Sequence, residues 1–229
     1  MISVIIPVYN ESETIGDLVK YLLKYGGSDL KEIIVSDGGS DDKTCLYAMS
    51  AGAIILHSPQ QGRAAQMNFG ASEASGDILY FVHADCFPPL SFAKDIERAI
   101  GDGFDFGRFR TKFDSSSLML KINAWFTRFD LFVCYGGDQT LFMTTTMFKK
   151  IHGFAAPMQI MEDYDIVVRG KKTGKYKIVQ RNVLISARKY LTNSWMRVQK
   201  ANYRIIKMYK KGATQKEMIE KYKQFLVYR

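Results

Sequence analysis

Carboxylate side chains stand at two points where the sequence predicts the end of a strand. Asp85 follows the apolar run at residues 78–82, and Asp37 ends a second apolar run at residues 32–37. Such runs are typical of strands that are buried on both faces of a parallel sheet. Open α/β sheets bind ligands outside the carboxyl ends of their strands, so both acids are candidates for ligand contacts. The simpler alternative is that each is a solvated residue in a turn.

A further pair of acids, Glu162 and Asp163, begins a predicted helix at residues 161–172. Carboxylates stabilise the first turn of a helix through its free amides and its dipole, which alone would explain both residues. A carboxylate can equally act as a general base, which takes the proton from an attacking hydroxyl group. The pattern of the whole chain has to decide between these two interpretations.

The first hundred residues alternate predicted strands with predicted helices. Strands at 2–6, 32–37, 53–56 and 77–82 are separated by helices, the third of them at 64–74. This alternation predicts an α/β fold with a doubly wound, mostly parallel sheet flanked by helices. The loops after the first, second and fourth strands carry acids, and they should line one crevice at the carboxyl edge of the sheet.

The rest of the chain has a less regular pattern. Residues 104–113 alternate polar and apolar side chains, as expected for an antiparallel or edge strand. Residues 115–134 predict one long helix, and residues 176–187 predict a last strand. Phe87, Pro88 and Pro89 are expected to interrupt regular structure after the fourth strand.

Five short motifs occur in order along the chain. Their order and spacing resemble those of the family-2 glycosyltransferases with the GT-A, Rossmann-like fold, over roughly residues 1–190. Each motif alone is weak evidence, whereas the set is specific for the class. The motifs are Pro7-Val8-Tyr9-Asn10-Glu11, Asp37-Gly38-Gly39-Ser40, Gly62-Arg63-Ala64-Ala65-Gln66-Met67-Asn68, His83-Ala84-Asp85 and Glu162-Asp163.

The resemblance implies a nucleotide-sugar donor of the UDP or GDP type. The loop with Pro7, Tyr9 and Glu11 would hold the nucleotide. Asp37 would hydrogen-bond the base, since a carboxylate accepts well from an imide N–H such as that of uracil. Arg63 would approach the diphosphate, unless it is a solvated residue of the first helical turn. Further donor contacts are expected at Asn68, His83, Ala84, Asp85, Asp138 and Arg188.

The metal motif of the resembled family is Asp-x-Asp, which here is His83-Ala84-Asp85. The resemblance implies that Asp85 coordinates Mn²⁺ or Mg²⁺, and that the ion bridges the diphosphate and stabilises it as the leaving group. His83 stands where the family has its first acid. We expect His83 either to contact the sugar phosphate or simply to pack, and an imidazole suits Mn²⁺ better than Mg²⁺.

By position, the resemblance makes Asp163 the general base and Glu162 its support. One base and one metal imply direct displacement with inversion at the anomeric carbon. Transfer of a single sugar is expected, because the Gln-x-x-Arg-Trp motif of processive members is absent: Gln180 is followed by Arg181 and Asn182. The acceptor is expected to be a hydroxyl compound, with a lipid-linked one as the more specific hypothesis.

Two other functions remain as alternatives. A metal-dependent nucleotidyltransferase uses a related sheet, but it would need a glycine- and arginine-rich loop with a lysine after the first strand, which residues 7–11 do not supply. A non-catalytic module that binds nucleotide-sugars or membranes is the second, although the presence of both Asp85 and Asp163 favours an enzyme.

The domain prediction divides the chain of 229 residues at residue 190. Residues 1–190 would form the catalytic domain, with a nucleotide-binding half at 1–100 and an acceptor and catalytic-base half at 101–190. Residues 191–229 would form a basic tail of amphipathic helices. The formal net charge is +9, and the segment from Arg188 onward holds twelve Lys and Arg against two Glu, so the excess of positive charge lies there.

One stripe of the first tail helix is basic, since its cations recur at helical spacing. The tail could pack on the catalytic domain with a solvated basic face, or residues 195–229 could lie on an anionic membrane surface. Nucleic acid is not expected as a partner. The stripe consists of Arg197, Lys200, Arg204, Lys207 and Lys211.

The three cysteines show no metal-ligand spacing, which favours reduced thiols and a cytoplasmic location. The first residues indicate a strand rather than a signal peptide. A spanning helix is not expected, because no stretch of 18 residues is apolar and uncharged. A peripheral position at the inner face of the cell membrane is therefore the more specific expectation for location.

Overall fold

The computed structural model describes residues 1–136 and 140–227, and it contains one eight-stranded sheet between two layers of helices. The order of strands across the sheet is β3-β2-β1-β4-β7-β6-β8-β5. The strands are β1 (Ile2–Val8), β2 (Leu30–Asp37), β3 (Ile54–His57), β4 (Ile78–Phe81), β5 (Cys86–Phe87), β6 (Phe106–Phe113), β7 (Leu141–Thr144) and β8 (Tyr176–Ile185).

Ten α-helices and two short 3₁₀ helices connect these strands within the described residues. The 3₁₀ helices are Gly27–Asp29 and Phe132–Cys134. The α-helices are α1 (Ile15–Gly26), α2 (Thr44–Ser50), α3 (Arg63–Glu73), α4 (Phe92–Gly101), α5 (Leu118–Phe126), α6 (Thr145–Lys150), α7 (Glu162–Lys171), α8 (Lys189–Thr192), α9 (Trp195–Lys210) and α10 (Gln215–Phe225).

The first half of the sheet confirms the predicted α/β arrangement. Strands β3, β2, β1 and β4 are parallel neighbours, and every residue of β1 and β4 is buried. The continuous apolar runs therefore mark strands that are covered on both faces, as expected. The core lies on both sides of the sheet, with α1 and α4 on one face and α3, α6 and α7 on the other.

The second half of the sheet is mixed. Of the two alternatives for residues 104–113, the antiparallel strand is confirmed and the edge strand is wrong. Strand β6 lies inside the sheet, antiparallel to β7 and parallel to β8. Six of its first seven residues are at least partly buried and most are fully buried, so the alternation of polar and apolar side chains does not mark a solvent face. Arg108 and Thr111 of β6 contact the segment after α5, through the Phe129 carbonyl and the Thr127 hydroxyl, whereas Lys112 is exposed.

The predicted long helix at 115–134 is also wrong, because it is split into α5 and the 3₁₀ helix Phe132–Cys134. The break follows from a hydrogen-bonding competition at Thr127. Its Oγ1 donates to the carbonyl of Ala124 (2.6 Å) and accepts the backbone N–H of Thr111 in β6 (3.0 Å). A threonine recruited by a neighbouring strand in this way ends the helix.

The prediction that residues 87–89 interrupt regular structure is wrong only for Phe87. Cys86 and Phe87 form the short strand β5, which pairs antiparallel with the end of β8, Cys86 opposite Ile185. This small strand matters for the site, because it ties the loop after β4 to the carboxyl end of β8.

The tail helices bury their apolar side chains against each other and against the segment before α7. Ile205 and Met218 pack with Met161, and Val198 and Ala201 pack with Leu226. A capping box between Thr214 and Glu217 is present at the start of α10. All five cations of the basic stripe are exposed. Within 1–136 and 140–227, no helix has the length and apolar character needed to cross a bilayer.

Candidate functional site

A buried glutamine joins the ends of β1 and β2. The Gln66 side-chain N–H group donates to the carbonyls of Val8 (2.7 Å) and Ser36 (2.8 Å), and its oxygen accepts the backbone N–H of Gly62 (3.2 Å). The strand register already places Val8 opposite Asp37. Gln66 belongs to the third of the five motifs, but no role was predicted for it. The feature of the sequence that could have indicated its role is an amide side chain on the face of the α3 helix that packs on the sheet.

Asp37 is an ionised acceptor held in place by its own loop. Its carboxylate accepts from the Ser40 hydroxyl (2.6 Å), from the backbone N–H groups of Gly39 and Ser40 (3.1 Å each), and contacts His57 Nδ1 at 3.4 Å. Burial raises the pKa of this carboxyl, but the hydrogen bonds outweigh burial and leave the pKa below its usual value. Asp37 thus forms the turn that the simpler alternative predicted, and it also presents a negative charge at the carboxyl edge.

Three residues that are distant in sequence meet at the carboxyl ends of β1 and β4. The Arg188 guanidinium donates to both carboxylate oxygens of Glu11 (2.6 Å each), and its Nε lies 3.0 Å from Asp85 Oδ2. The pairing of β5 with β8 explains the geometry, because the Ser186 N–H also donates to the Asp85 carbonyl (3.2 Å). Arg188 follows two residues later. The predicted residues Glu11, Asp85 and Arg188 are therefore brought together.

Asp85 fits a metal ion only if the substrate supplies most of the ligands. Among the described residues, the ligand atoms that converge without a substrate are those of Asp37, Cys45 and His57, not a set at Asp85. Burial and the nearby Asp37 raise the pKa of the Cys45 thiol to about 11, which disfavours the thiolate that metals bind. An ion at Asp85 would have one carboxylate with phosphate oxygens around it, which is how Mg²⁺ commonly meets nucleotides.

The loop between β4 and β5 buries all three residues of the predicted metal motif. His83, Ala84 and Asp85 are each less than one tenth exposed. The Cys86 N–H donates to the His83 carbonyl (3.0 Å), which closes a tight turn. His83 packs in this turn, and a contact of His83 with the donor stays a prediction.

The two acids at the start of α7 differ in exposure. Glu162 is buried, whereas Asp163 is partly exposed and lines a small cavity with Thr140 and Leu141. Leu141 pairs with Phe81 at the carboxyl end of β4. Asp163 therefore lies at the same edge of the sheet as the loop that carries Asp85.

Arg108 also lines this cavity, although it was not predicted as a site residue. The guanidinium is almost fully buried and donates to the carbonyls of Phe109 and Phe129 (3.3 Å each). It places a positive charge in the wall of the cavity that Asp163 also lines. In the sequence Arg108 looked like a solvent-facing residue of an alternating strand, and no local signal contradicts that interpretation.

The remaining predicted donor residues are less constrained. The Asn68 amide is bonded to the backbone of Phe154, donating to its carbonyl (2.8 Å) and accepting its N–H (2.9 Å). Arg63 and Tyr9 are exposed, and Pro7 lies in β1. Asp138 lies outside the described residues. Donor contacts at these positions stay predictions.

Sequence comparison gives a family and partial relatives. The model of glycosyl transferase family 2 matches residues 3–152. Glucosyl-3-phosphoglycerate synthase of Mycolicibacterium smegmatis is 33% identical over 96 residues, which are 38% of this chain and 32% of that protein. Glycosyltransferase AglE of Haloferax volcanii is 37% identical over 112 residues, 45% of this chain and 37% of that protein. Both matches span about a third of the relative's own length.

Solved structures share the fold at low sequence identity. S. aureus TarS superposes with a TM-score of 0.66 at 15% identity, covering 81% of this chain and 36% of that chain. Glucosyl-3-phosphoglycerate synthase from Mycobacterium tuberculosis, in complex with Mn²⁺, UDP and glucosyl-3-phosphoglycerate, gives a TM-score of 0.57 at 16% identity, covering 81% and 70%. These neighbours confirm the predicted GT-A, Rossmann-like α/β fold.

Proposed function

Because the chain belongs to glycosyl transferase family 2, we propose that it transfers a single sugar from a UDP- or GDP-linked donor to a hydroxyl acceptor with inversion. The observation that carries the proposal is the meeting of Glu11, Asp85 and Arg188 at the carboxyl edge of the sheet. This is the edge where open α/β sheets bind ligands. A cation flanked by two carboxylates there offers groups for both a metal ion and a diphosphate.

In this proposal the donor nucleotide lies across the ends of β1 and β2. Asp37 accepts the imide N–H of the base, and its loop holds it ionised and fixed for that purpose. Tyr9 borders the nucleotide from the loop after β1 and Pro7 lies next to that loop near the end of the strand, while Arg63 at the start of α3 faces the diphosphate. The GT-A fold and the UDP complexes of the mycobacterial neighbour support this placement.

Asp85 would hold Mn²⁺ or Mg²⁺ together with the diphosphate oxygens. The ion, when bound, neutralises charge on the leaving diphosphate. Structures of the M. tuberculosis neighbour contain Mn²⁺ or Mg²⁺ with UDP, which supports this assignment. Arg188 contacts Asp85 through its Nε and Glu11 through its two terminal nitrogens. A guanidinium held there would be positioned to contact the diphosphate of a bound donor.

Asp163 takes the proton of the acceptor hydroxyl in the chemical step. The acceptor oxygen attacks the anomeric carbon, the bond from that carbon to the diphosphate oxygen breaks, and the nucleoside diphosphate leaves with the bonding pair. One displacement inverts the anomeric configuration. Glu162, buried behind Asp163 in the first turn of α7, positions the base. The partial exposure of Asp163 supports its role, because the acceptor must reach it.

The positions proposed for the donor, the metal ion and the base assign a different role to each of three segments of the chain. Residues 1–100 supply the donor loops, 101–190 supply the base and the acceptor side, and 191–229 form the tail. A hydroxyl acceptor is proposed, with a lipid-linked one as its specific form. The alternatives, a nucleotidyltransferase or a non-catalytic binding module, are outcomes of the same test.

A thermal-shift screen of UDP- and GDP-sugars, with and without Mn²⁺, tests the proposal. A ligand at about 100 times its dissociation constant adds about 2.7 kcal/mol of stability, which raises the melting temperature measurably. We expect stabilisation by at least one nucleotide-sugar, strongest with Mn²⁺, followed by slow release of nucleoside diphosphate. Stabilisation by nucleoside triphosphates, with release of pyrophosphate from the triphosphate when a sugar phosphate is added, would instead indicate a nucleotidyltransferase. Binding without any release would indicate a binding module.

A further inference from the structure

Large apolar side chains are exposed along residues 118–133, which we name the apolar segment. Only Leu120 of the nine residues of α5 is buried. Eight other side chains in the segment are between 41% and 65% exposed. They are Leu118, Met119, Ile122, Trp125, Phe126, Phe129, Leu131 and Val133.

These side chains form one surface rather than scattered exposures. Trp125 packs edge-on against Phe126 and Phe129, with ring centroids 5.2 and 5.0 Å apart. Contiguous apolar patches of this kind are rare on the surface of soluble monomers and mark interaction sites. Tryptophan, here Trp125, is enriched where a protein meets the boundary between water and lipid.

The charges around the apolar segment are positive. Lys121 is exposed on α5, Arg128 lies over the Trp125 ring at 4.8 Å, and Lys210 at the end of α9 lies over Phe132 at 4.6 Å. The single acid of the segment, Asp130, is paired with Lys171 at 2.5 Å. An anionic surface is therefore the complementary partner.

We propose that the apolar segment rests on an anionic lipid bilayer, with its apolar side chains in the headgroup boundary and the surrounding cations at the lipid phosphates. This assigns the membrane contact to a different element from the tail, for which the sequence left packing and membrane contact open. Met196 and Tyr203 of α9 are exposed, but the other apolar residues of α9 and α10, such as Ile205 and Met218, are buried or partly buried. The tail contributes charge through Lys210 and its neighbours, and the insertion belongs to α5 and residues 127–133.

The apolar segment also adjoins the proposed base. The ring of Phe132 lies 5.2 Å from that of Tyr164, and the Tyr164 hydroxyl donates to the Val133 carbonyl (3.4 Å). Tyr164 follows Asp163 directly. If the proposed function holds, an acceptor anchored in the bilayer would meet Asp163 from this side, which makes the acceptor class an amphiphile with its hydroxyl at the headgroup level.

Co-sedimentation of the full chain with vesicles tests the membrane contact directly. We would compare phosphatidylcholine vesicles with vesicles that also contain phosphatidylglycerol, at low and high salt. The test variant carries Leu118→Gln, Ile122→Gln and Trp125→Gln, which lie on one face of α5. The matched control carries Leu46→Gln, Met49→Gln and Leu90→Gln, three equally exposed apolar residues elsewhere. Loss of three inserted side chains should weaken partitioning by about 100-fold.

Charge is tested by a second pair of variants. Lys121→Gln, Arg128→Gln and Lys210→Gln should weaken binding to the anionic vesicles by about 100-fold, because each cation near such a surface is worth on the order of 1 kcal/mol. Lys20→Gln, Lys31→Gln and Lys94→Gln, which are exposed elsewhere, should bind as the unmodified chain does. In a Trp195→Phe background, Trp125 emission should shift to shorter wavelength on anionic vesicles. Nucleotide-sugar binding in solution should be unchanged in the α5 variant, which separates this proposal from the proposed function.

Three results would overturn the proposal. The first is an unmodified chain that ignores anionic vesicles. The second is an α5 variant that binds them as tightly as its control, which would leave only the basic tail. The third is a dimer in light scattering that the α5 variant converts to a monomer without any vesicle binding, which would assign the surface to a second copy of the chain.

Discussion

Two surfaces of this member of glycosyl transferase family 2 contrast in how their exposed groups are held. At the carboxyl edge of β1, β2 and β4, polar groups fix one another: Arg188 joins Glu11 and Asp85, and the Asp37 loop closes on its own carboxylate. On the apolar segment, large side chains lie in solvent with few partners inside the protein. The first surface is organised for a charged, water-soluble donor. The second matches an apolar environment, so the two substrates of the proposed reaction would arrive from different phases.

The largest predicted effect is a loss of turnover on substitution of Asp163, which lies between the carboxyl edge and the apolar segment. Asp163→Asn should lower turnover by ~10²–10⁴-fold, because the acceptor hydroxyl loses its base. Affinity for the donor should stay unchanged, since the donor edge is intact. Steady-state kinetics and donor titration check both quantities. Asp165→Asn, on the same turn but paired with Arg169, is the matched control. Turnover in Asp163→Asn equal to that of the control would remove Asp163 from the mechanism.

The second largest effect is expected for a substitution at the carboxyl edge of the sheet, where the donor is proposed to bind. Asp85→Asn should lower metal-dependent affinity for the donor by about 10–100-fold, the cost of losing one charged hydrogen-bond or ion contact. Titration of nucleoside diphosphate with and without Mn²⁺ measures the effect. Asp95→Asn, which carries a carboxylate on α4, serves as the control. Affinity that depends on Mn²⁺ to the same degree in both variants would place the ion elsewhere.

Packing of Gly136 against Tyr164 of α7 gives a smaller effect. A Cβ at Gly136 would lie 1.8 Å from the ring of Tyr164, so Gly136→Ala should cost about 1–3 kcal/mol of unfolding free energy through overpacking. Gly101→Ala, where a Cβ meets no atom within 4 Å, should be neutral or slightly stabilising. Urea unfolding of both variants measures the difference. Equal stability would show that α7 does not depend on this contact.

The parallel half of the molecule was predictable because its signals are local. Each buried strand of the first hundred residues is a short apolar run, and the acids Asp37 and Asp85 follow directly from it. The capping box at Thr214 is equally local. The meeting of Glu11 and Arg188 was not derivable from spacing, since 177 residues separate them and the β5–β8 pairing brings them together.

The residues after the first hundred were predicted less well, because tertiary contacts there override the periodicity of the local sequence. The helix expected at 115–134 is interrupted because β6 recruits the Thr127 hydroxyl, which no helical periodicity reveals. The same mixed packing buries Arg108, although its neighbours alternate as on an exposed strand. Burial of the tail's apolar residues depends on Met161 and other distant partners, so the sequence left packing and membrane contact open.

The smallest predicted effect concerns the pH dependence of stability. The pKa of Asp37 is lowered in the folded chain, so its contribution is complete above the unfolded value of 3.8 and is lost as pH falls through the folded pKa. Below pH 3.8, the melting temperature of Asp37→Asn should therefore fall less steeply with decreasing pH than that of the unmodified chain. Asp29→Asn is the control. A melting temperature that falls in parallel for Asp37→Asn and the unmodified chain would show that the loop does not hold the carboxylate as described.

Product analysis of donor hydrolysis tests the central claim most directly. The unmodified chain, a nucleotide-sugar that stabilises it and Mn²⁺ would be incubated together, with water as the acceptor. Phosphorus and proton NMR then identify the released nucleotide and the first-formed anomer of the sugar. We predict nucleoside diphosphate and a sugar of inverted configuration, with release abolished in Asp163→Asn. Retained configuration, or release of nucleoside monophosphate with sugar phosphate, would contradict the account.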